Sequence, residues 1–184
     1  MEQCNERPKV SVIIPVYNTC NYVQEALESI CQQTLEELEI IVIDDGSTDC
    51  SRAIVEEIAI KDTRIQVYKQ SNQGLSITRN QGLKFSTGEY IYFMDSDDFL
   101  EPDALELCYR KCTKEALDFV FFDAETFTIE PNIPESSFDY QRTLDLPEKI
   151  CSGIDMLKTQ LKTYKFKSSV CLNLFHREFI CEER

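Results

Sequence analysis

Apolar residues along this chain fall into short runs separated by helical stripes. Val10-Ser11-Val12-Ile13-Ile14-Pro15-Val16 is almost unbroken, which predicts a strand buried on both faces and stopped by Pro15, whose nitrogen cannot donate to a ladder. Tyr22, Val23, Ala26, Leu27, Ile30 and Cys31 then share one stripe of a helix. Glu39-Ile40-Ile41-Val42-Ile43 reads as a second strand, and it ends in Asp44-Asp45-Gly46-Ser47-Thr48-Asp49. Gly46 permits a sharp turn there. Ser47 or Thr48 is expected to cap the next helix, with Asp49 in its first turn and Ala53, Ile54, Ile58 and Ala59 on its apolar face. Arg64-Ile65-Gln66-Val67-Tyr68 alternates and predicts a third, more exposed strand. After Asn72-Gln73-Gly74, a short helix runs from Leu75 to Phe85 and closes at Gly88.

The fourth apolar run, Tyr90-Ile91-Tyr92-Phe93-Met94, stops abruptly at Asp95-Ser96-Asp97-Asp98. Its lack of alternation predicts a strand in the middle of a mostly parallel sheet, with the carboxylates at the sheet's C-terminal edge. A helix over 102–116 and a strand over 118–122 follow. Residues 124–147 are polar, hold three prolines and read as a long flap. A last helix covers 152–163, and 168–179 contains a further apolar run. Strand-helix alternation of this kind predicts an α/β fold, a three-layer α/β/α sandwich around a mostly parallel, doubly wound, Rossmann-like sheet. The expected divisions are a disordered tail over 1–8, a ligand-binding core over 9–123, and a remainder over 124–184 that looks truncated at its C-terminal end.

Composition narrows the class. The 184 residues suffice for one ordinary domain, and 42% hydrophobic with 10% aromatic content argues for a globular chain. A net charge of −14 disfavours nucleic acid and anionic membranes as partners. Any phosphate-bearing ligand would therefore need a local cation. The nine cysteines form no C-x-x-C pair, and the single histidine excludes zinc-finger spacing. Cys31, Cys108, Cys112 and Cys171 sit inside apolar patterns as small hydrophobes. An odd cysteine count with no leader pattern points to a reduced, cytoplasmic setting. No apolar run has the length of a membrane span.

Two strands thus end in paired aspartates, Asp44-Asp45 and Asp95-x-Asp97-Asp98, and a parallel sheet delivers both to one edge. Asp95 and Asp97 can share a hard cation, since Mg²⁺ and Mn²⁺ take oxygen ligands. A metal-bridged nucleotide diphosphate would offset such an edge, and the remaining carboxylates would accept from ribose or base. Blander readings stand beside these. Asp95 to Asp98 can be a solvated turn, Asp45 and Ser47 a turn and helix cap, and Arg79 a surface ion pair. An apolar strand followed by D-x-D also suits a haloacid-dehalogenase-like phosphatase, with Asp95 as nucleophile and Asp97 as acid/base. A donor-binding module without a catalytic base is the third alternative.

Four segments in order over residues 9–103 resemble the family-2 glycosyltransferases of GT-A fold. These are Pro15-Val16-Tyr17-Asn18, Asp44-Asp45-Gly46-Ser47, Asn72-Gln73-Gly74-Leu75-Ser76-Ile77-Thr78-Arg79-Asn80 (with Thr78 where alanine is usual), and Asp95-Ser96-Asp97-Asp98. The resemblance implies a transferase that moves a sugar from a nucleotide-diphospho-sugar, most often a UDP-sugar, to an acceptor hydroxyl. It implies Mn²⁺ or Mg²⁺ as cofactor, inversion at the anomeric carbon, and a role in polysaccharide or glycoconjugate synthesis. The acceptor would be a saccharide or lipid-linked saccharide, which would hold the protein peripherally at the inner face of the membrane. By matching positions, Pro15, Val16 and Tyr17 would line the base pocket and Asp44 would contact the base. Asp45, Gly74 and Arg79 would border the donor, with Ser96 in the same site. Asp95 would approach the ribose, and Asp97, with Asp95, would hold the metal. Val170 to Glu178 resembles a later family segment, with Cys171 and Asn173 in place of its tryptophan and lysine. The family's general base follows that segment, which places it beyond Arg184. His176 is weighed as a late metal ligand and read instead as a surface position.

Overall fold

The computed structural model describes residues 7–125, 150–162 and 169–181. Its strands are β1 Val10–Val16, β2 Leu38–Asp44, β3 Ile65–Lys69, β4 Tyr90–Phe93, β5 Phe119–Phe121 and β6 Asn173–His176. The helices are α1 Val23–Cys31, α2 Ser51–Lys61, α3 Leu75–Phe85, α4 Ala104–Glu115, α5 Gly153–Lys162 and α6 Arg177–Cys181. The sheet order is β3-β2-β1-β4-β6-β5, with helices flanking it. The first four strands in that order run parallel, and β6 pairs antiparallel to β4 with Tyr90 opposite His176. Two compact units make up the chain: Met1–Val120 with Leu174–Arg184, and Phe121–Asn173. Among the described residues no helix is long and apolar enough to cross a membrane.

Every residue of β1, β2 and β4 is buried, as their unalternating apolar runs require. β3 is the edge strand, and only Ile65 is buried. The chain steps from β1 outward to β2 and β3, then returns past both to β4 on the far side of β1. Because parallel crossovers are right-handed, this reversal sends α3 to the face opposite α1 and α2. The crevice at the reversal opens above the C-terminal ends of β1 and β4, the usual ligand position in such sheets.

Three local expectations need correction. Pro15 does not stop β1, which continues to Val16. Pairing with β4 ends at Ile13 opposite Phe93, so no partner on that side asks for the nitrogen that Pro15 lacks. Ser47 and Thr48 do not cap α2. The cap position is Cys50, which makes no side-chain cap bond; Asp49, one residue earlier, accepts from the Ser51 N–H at 2.9 Å and from its hydroxyl at 2.6 Å. The buried face of α2 is Ser51 and Val55, whereas Ala53 is exposed. The 124–147 flap falls almost wholly outside the described residues, as does the 1–8 tail up to residue 6.

The second unit shows the same local logic. The Ser152 hydroxyl donates to Asp155 at 2.8 Å and accepts from its N–H at 3.2 Å, which starts α5. The Phe122 N–H donates to the Leu172 carbonyl.

Gly82 lets α3 lie directly on β1, since an added Cβ would overlap the Ile13 side chain. Ile13 is branched at Cβ and fully buried, so it cannot swing aside. Gly82→Ala is therefore expected to lower stability by about 1–3 kcal/mol in denaturant unfolding. Helix propensity alone would give about 1 kcal/mol in the opposite direction, so a stabilised variant would refute the close packing.

Candidate active site

Four segments converge on the C-terminal edge of the sheet. β1 delivers Tyr17 and Asn18, β2 delivers Asp44 to Ser47, β4 leads into Asp95 to Asp98, and α3 begins just after Gly74. Pro15 and Val16 are buried at the end of β1. Tyr17, the next residue, is 49% exposed.

The loops after β1 and β2 are laced together. Asn18 adopts a left-handed φ of 53°, which Asn tolerates better than most residues. Its N–H donates to Ser47 Oγ at 3.2 Å, and its Oδ1 accepts from the Thr48 N–H at 2.8 Å. Further along, Thr19 N–H donates to Ser51 Oγ, and Cys20 N–H to Asp49 Oδ2. Cys20 and Cys50 form a disulfide across the same seam, with Cα atoms 5.3 Å apart. The expectation of uniformly reduced thiols fails at this pair, because parallel pairing of β1 with β2 brings the two following loops side by side. Cys31, Cys108 and Cys112 are free thiols, as their apolar settings suggested, and Cys171 is buried. Burial pushes the Cys112 thiol up to about 12 and Cys108 up to about 11.

Asp44 is buried and turns back on its own loop, accepting from the Ser47 N–H at 3.0 Å. Gly46 has φ 79°, and a Cβ there would press on the Asn72 nitrogen, so only glycine suits this turn. Asp45 is 3% exposed and reaches across to the segment before α3. Its Oδ1 accepts from Gln70 Nε2 at 2.7 Å and from the Gln73 N–H at 2.8 Å, and its Oδ2 from the Gly74 N–H at 2.9 Å. Burial alone would raise this carboxyl, but the donors from Gln70, Gln73 and Gly74 outweigh it and hold the pKa below its ordinary value. Gly74, at φ 87°, then opens α3.

On α3, Arg79 Nη2 meets Asp95 Oδ1 at 2.5 Å. Ser96 is buried, whereas Asp97 and Asp98 face solvent. Asp98 is nonetheless crowded. Partial desolvation, then the charges of Asp95 and Asp97, push its carboxyl up to about 6. Arg79 forms an ion pair with Asp95 of this cluster. Among the described residues no three His, Cys, Asp or Glu side chains converge as a ready-made metal cage.

His176 lies elsewhere. It pairs with Tyr90 at the opposite end of β4, with its ring edge-on to the tyrosine at 5.1 Å. Gln70 was not anticipated as part of the site. Nothing in hydrophobic periodicity marks a side chain whose partners are 25 residues earlier and 8 residues later in the chain.

The family model described as "Glycosyl transferase family 2" matches residues 11–167. This chain belongs to that family. Glycosyltransferase GlyA of Streptococcus pneumoniae is 37% identical over 161 residues, which cover 87% of this chain and 23% of GlyA. Among solved structures, S. aureus TarS 1–349 in complex with UDP-GlcNAc superposes with a TM-score of 0.71 at 26% identity, over 92% of this chain and 46% of TarS 1–349. The mannosyltransferase PcManGT from Pyrobaculum calidifontis, in complex with GDP-Man and Mn²⁺, gives 0.57 at 26% identity, over 62% of this chain and 35% of that one. The chain thus spans less than half the length of these relatives. A GT-A, Rossmann-like fold agrees with both structural neighbours, and the family match does not favour the phosphatase reading of the Asp95 strand.

The crowding at Asp98 gives a pH signature. Its folded carboxyl titrates near 6, against about 3.9 when unfolded, so the folded state binds the extra proton and stability from this group falls as pH rises from about 4 to 6. Asp98→Asn removes that term. The variant is expected to raise Tm at pH 8 by more than at pH 4.5, and an equal shift at both would mean that Asp98 titrates normally.

Proposed function

We propose that this chain binds a nucleotide-diphospho-sugar across the C-terminal edges of β1, β2 and β4 and forms the donor-binding part of an inverting, metal-dependent glycosyltransferase. The observation that carries the reading is convergence. Tyr17, Asp44, Asp45, Gly74, Arg79 and the Asp95 to Asp98 cluster come from four separate segments and meet at the point where strand order reverses. Likeness to a structure bound to UDP-GlcNAc supports a uridine nucleotide in particular.

In this reading Tyr17 flanks the base, and Asp44 offers its remaining acceptor capacity to a ring N–H. The α3 N-terminus and Arg79 face the diphosphate, since helix N-termini and guanidinium groups both suit phosphate oxygens. Asp97 and Asp95 would hold Mn²⁺ or Mg²⁺. The residues fit a hard cation in one respect: three carboxylates follow one another after β4, and partial desolvation together with the charges of Asp95 and Asp97 pushes Asp98 up to about 6. When bound, such a cation supplies charge compensation on the departing diphosphate. The chain's own residues bind and orient the donor so that the anomeric carbon faces an acceptor hydroxyl. The acceptor, read as a saccharide or lipid-linked saccharide, and the general base are not assigned to any residue of this chain.

Calorimetry provides the test. In Mn²⁺, UDP is expected to bind more tightly than GDP or ADP, and tighter binding of either rival would overturn the uridine assignment. Asp97→Asn is expected to remove most UDP affinity while leaving Tm essentially unchanged, because the side chain lies at an exposed strand end. Unchanged affinity in that variant would show that Asp97 holds no metal.

A further inference from the structure

Beside the donor edge, four hydrogen bonds form a closed ring. Gln70 Nε2 donates to Asp45 Oδ1 at 2.7 Å and to Thr78 Oγ1 at 3.0 Å. The Thr78 hydroxyl donates onward to the Gly74 carbonyl at 2.9 Å, and the Gly74 N–H returns to Asp45 Oδ2 at 2.9 Å. Thr78 is fully buried and Asp45 nearly so. Each polar atom is used with the correct polarity, since Gln70 spends two amide hydrogens and Thr78 accepts once and donates once.

The ring sits where geometry matters. It joins the end of β2, the residue after β3 and the first turn of α3, whose next residue after Thr78 is Arg79. The helix bond from Thr78 N–H to the Gly74 carbonyl is present in any case, at 3.1 Å. The hydroxyl is therefore not needed to make α3. Its added effect is to lock Gln70, and through Gln70 the carboxylate that pins the Gly74 turn.

We propose that Gln70 and Thr78 are positioning residues for donor binding: the closed ring fixes Asp45 and the Gly74 turn, and with them the approach of the α3 N-terminus and Arg79 to the diphosphate. The inference rests on the uridine-diphosphate reading given above. Neither residue touches the donor. Both act by removing alternative placements of groups that do, so the loss on breaking the ring falls on affinity.

The test is UDP titration in Mn²⁺ by calorimetry on four variants, each measured well below its own Tm. Thr78→Val removes the hydroxyl while keeping the branched shape, and is expected to weaken UDP binding about 3- to 10-fold, the scale of one net hydrogen bond. Gln70→Met removes both side-chain bonds and is expected to weaken binding at least as much. Thr78→Ser restores the hydroxyl and should bind within about twofold of the parent. Gln70→Glu keeps the length but sets a second carboxylate against Asp45, and should be worse than Gln70→Met. Val and Met variants that lose Tm yet bind UDP like the parent would overturn the proposal, because the ring would then be structural only. Failure of Ser to restore affinity would overturn it too. A parent chain that binds no uridine nucleotide would refute the donor reading itself, and the positioning role with it.

Discussion

Strand β2 carries a buried carboxylate near each end, and together they hold the crossover that makes the site. Asp45, just past its C-terminal end, binds the turn that enters α3. Glu39, near its N-terminal end and 5% exposed, binds the turn that leaves α3. It accepts from the N–H and hydroxyl of Thr87, the Gly88 N–H and the Ser11 hydroxyl. A buried carboxylate without donors would cost several kcal/mol, whereas each bond to a charged group contributes about 1.5–3 kcal/mol. Both carboxylates are therefore stable only if the two turns are in place, and the turn leaving α3 is also held by Arg7 on the Thr87 and Gly88 carbonyls and by Arg177 on the Gly88 carbonyl and the Ser86 hydroxyl. The helix between them is pressed against Ile13 at Gly82, where no side chain intervenes. Gly88 is similarly confined, since a Cβ would meet the Ser11 main chain. Clasped at both ends and flush in the middle, α3 has little freedom, and Arg79 inherits that restriction.

Much of this architecture was legible in the sequence because it depends on local pattern. Unbroken apolar runs predicted β1, β2 and β4, and alternation marked β3 as the more exposed strand, which the sheet order places at an edge. The Asp-Asp-Gly-Ser and Asp-x-Asp-Asp motifs were readable as strand-end chemistry for the same reason. Errors arose where a longer-range partner decides the outcome. Pro15 is tolerated in β1 because β4 is too short to reach it, and strand length is not visible from β1 itself. Ser47 looked like a helix cap, yet the Asn18 N–H donates to its hydroxyl and the first helical N–H goes to Asp49. Glu39 drew no attention, although its partners lie 28 to 49 residues away in sequence. The Cys20–Cys50 bridge belongs to the same class, with a separation of 30 residues and no spacing motif.

The seam between the β1 and β2 loops joins hydrogen bonds to a covalent link, whereas the α3 clasps rest on hydrogen bonds. Five hydrogen bonds among Asn18, Thr19, Cys20 and the 47–51 segment run alongside the disulfide. A disulfide stabilises mainly by restricting the unfolded chain, by about 2–4 kcal/mol in typical cases. Here it adds to a contact that hydrogen bonds already define, so the seam's folded geometry does not depend on the bridge. The β3-to-α3 turn relies on hydrogen bonds: Asp45 with its donors, the Gln70 N–H on the Asp44 carbonyl at 3.0 Å, and Gln70 Nε2 on Thr78 Oγ1 at 3.0 Å.

Charge at the crevice links stability to ligand. Three aspartates follow β4, Arg79 pairs with Asp95, and the Asp98 carboxyl is raised first by partial desolvation and then by the charges of Asp95 and Asp97. A molecule with a net charge of −14 offers little long-range relief. The folded state therefore holds an unfavourable electrostatic term at the place where the proposed ligand would bring a cation and a diphosphate together. Relief of that term would appear as binding free energy, since a ligand that stabilises only the folded state is credited with whatever strain it removes. Under the proposed donor reading, an acidic site could accept a polyanion because the carboxylates would take the cation, while Arg79 and the α3 N-terminus, held by Asp45 and Glu39 from behind, would present the positive end to the phosphates.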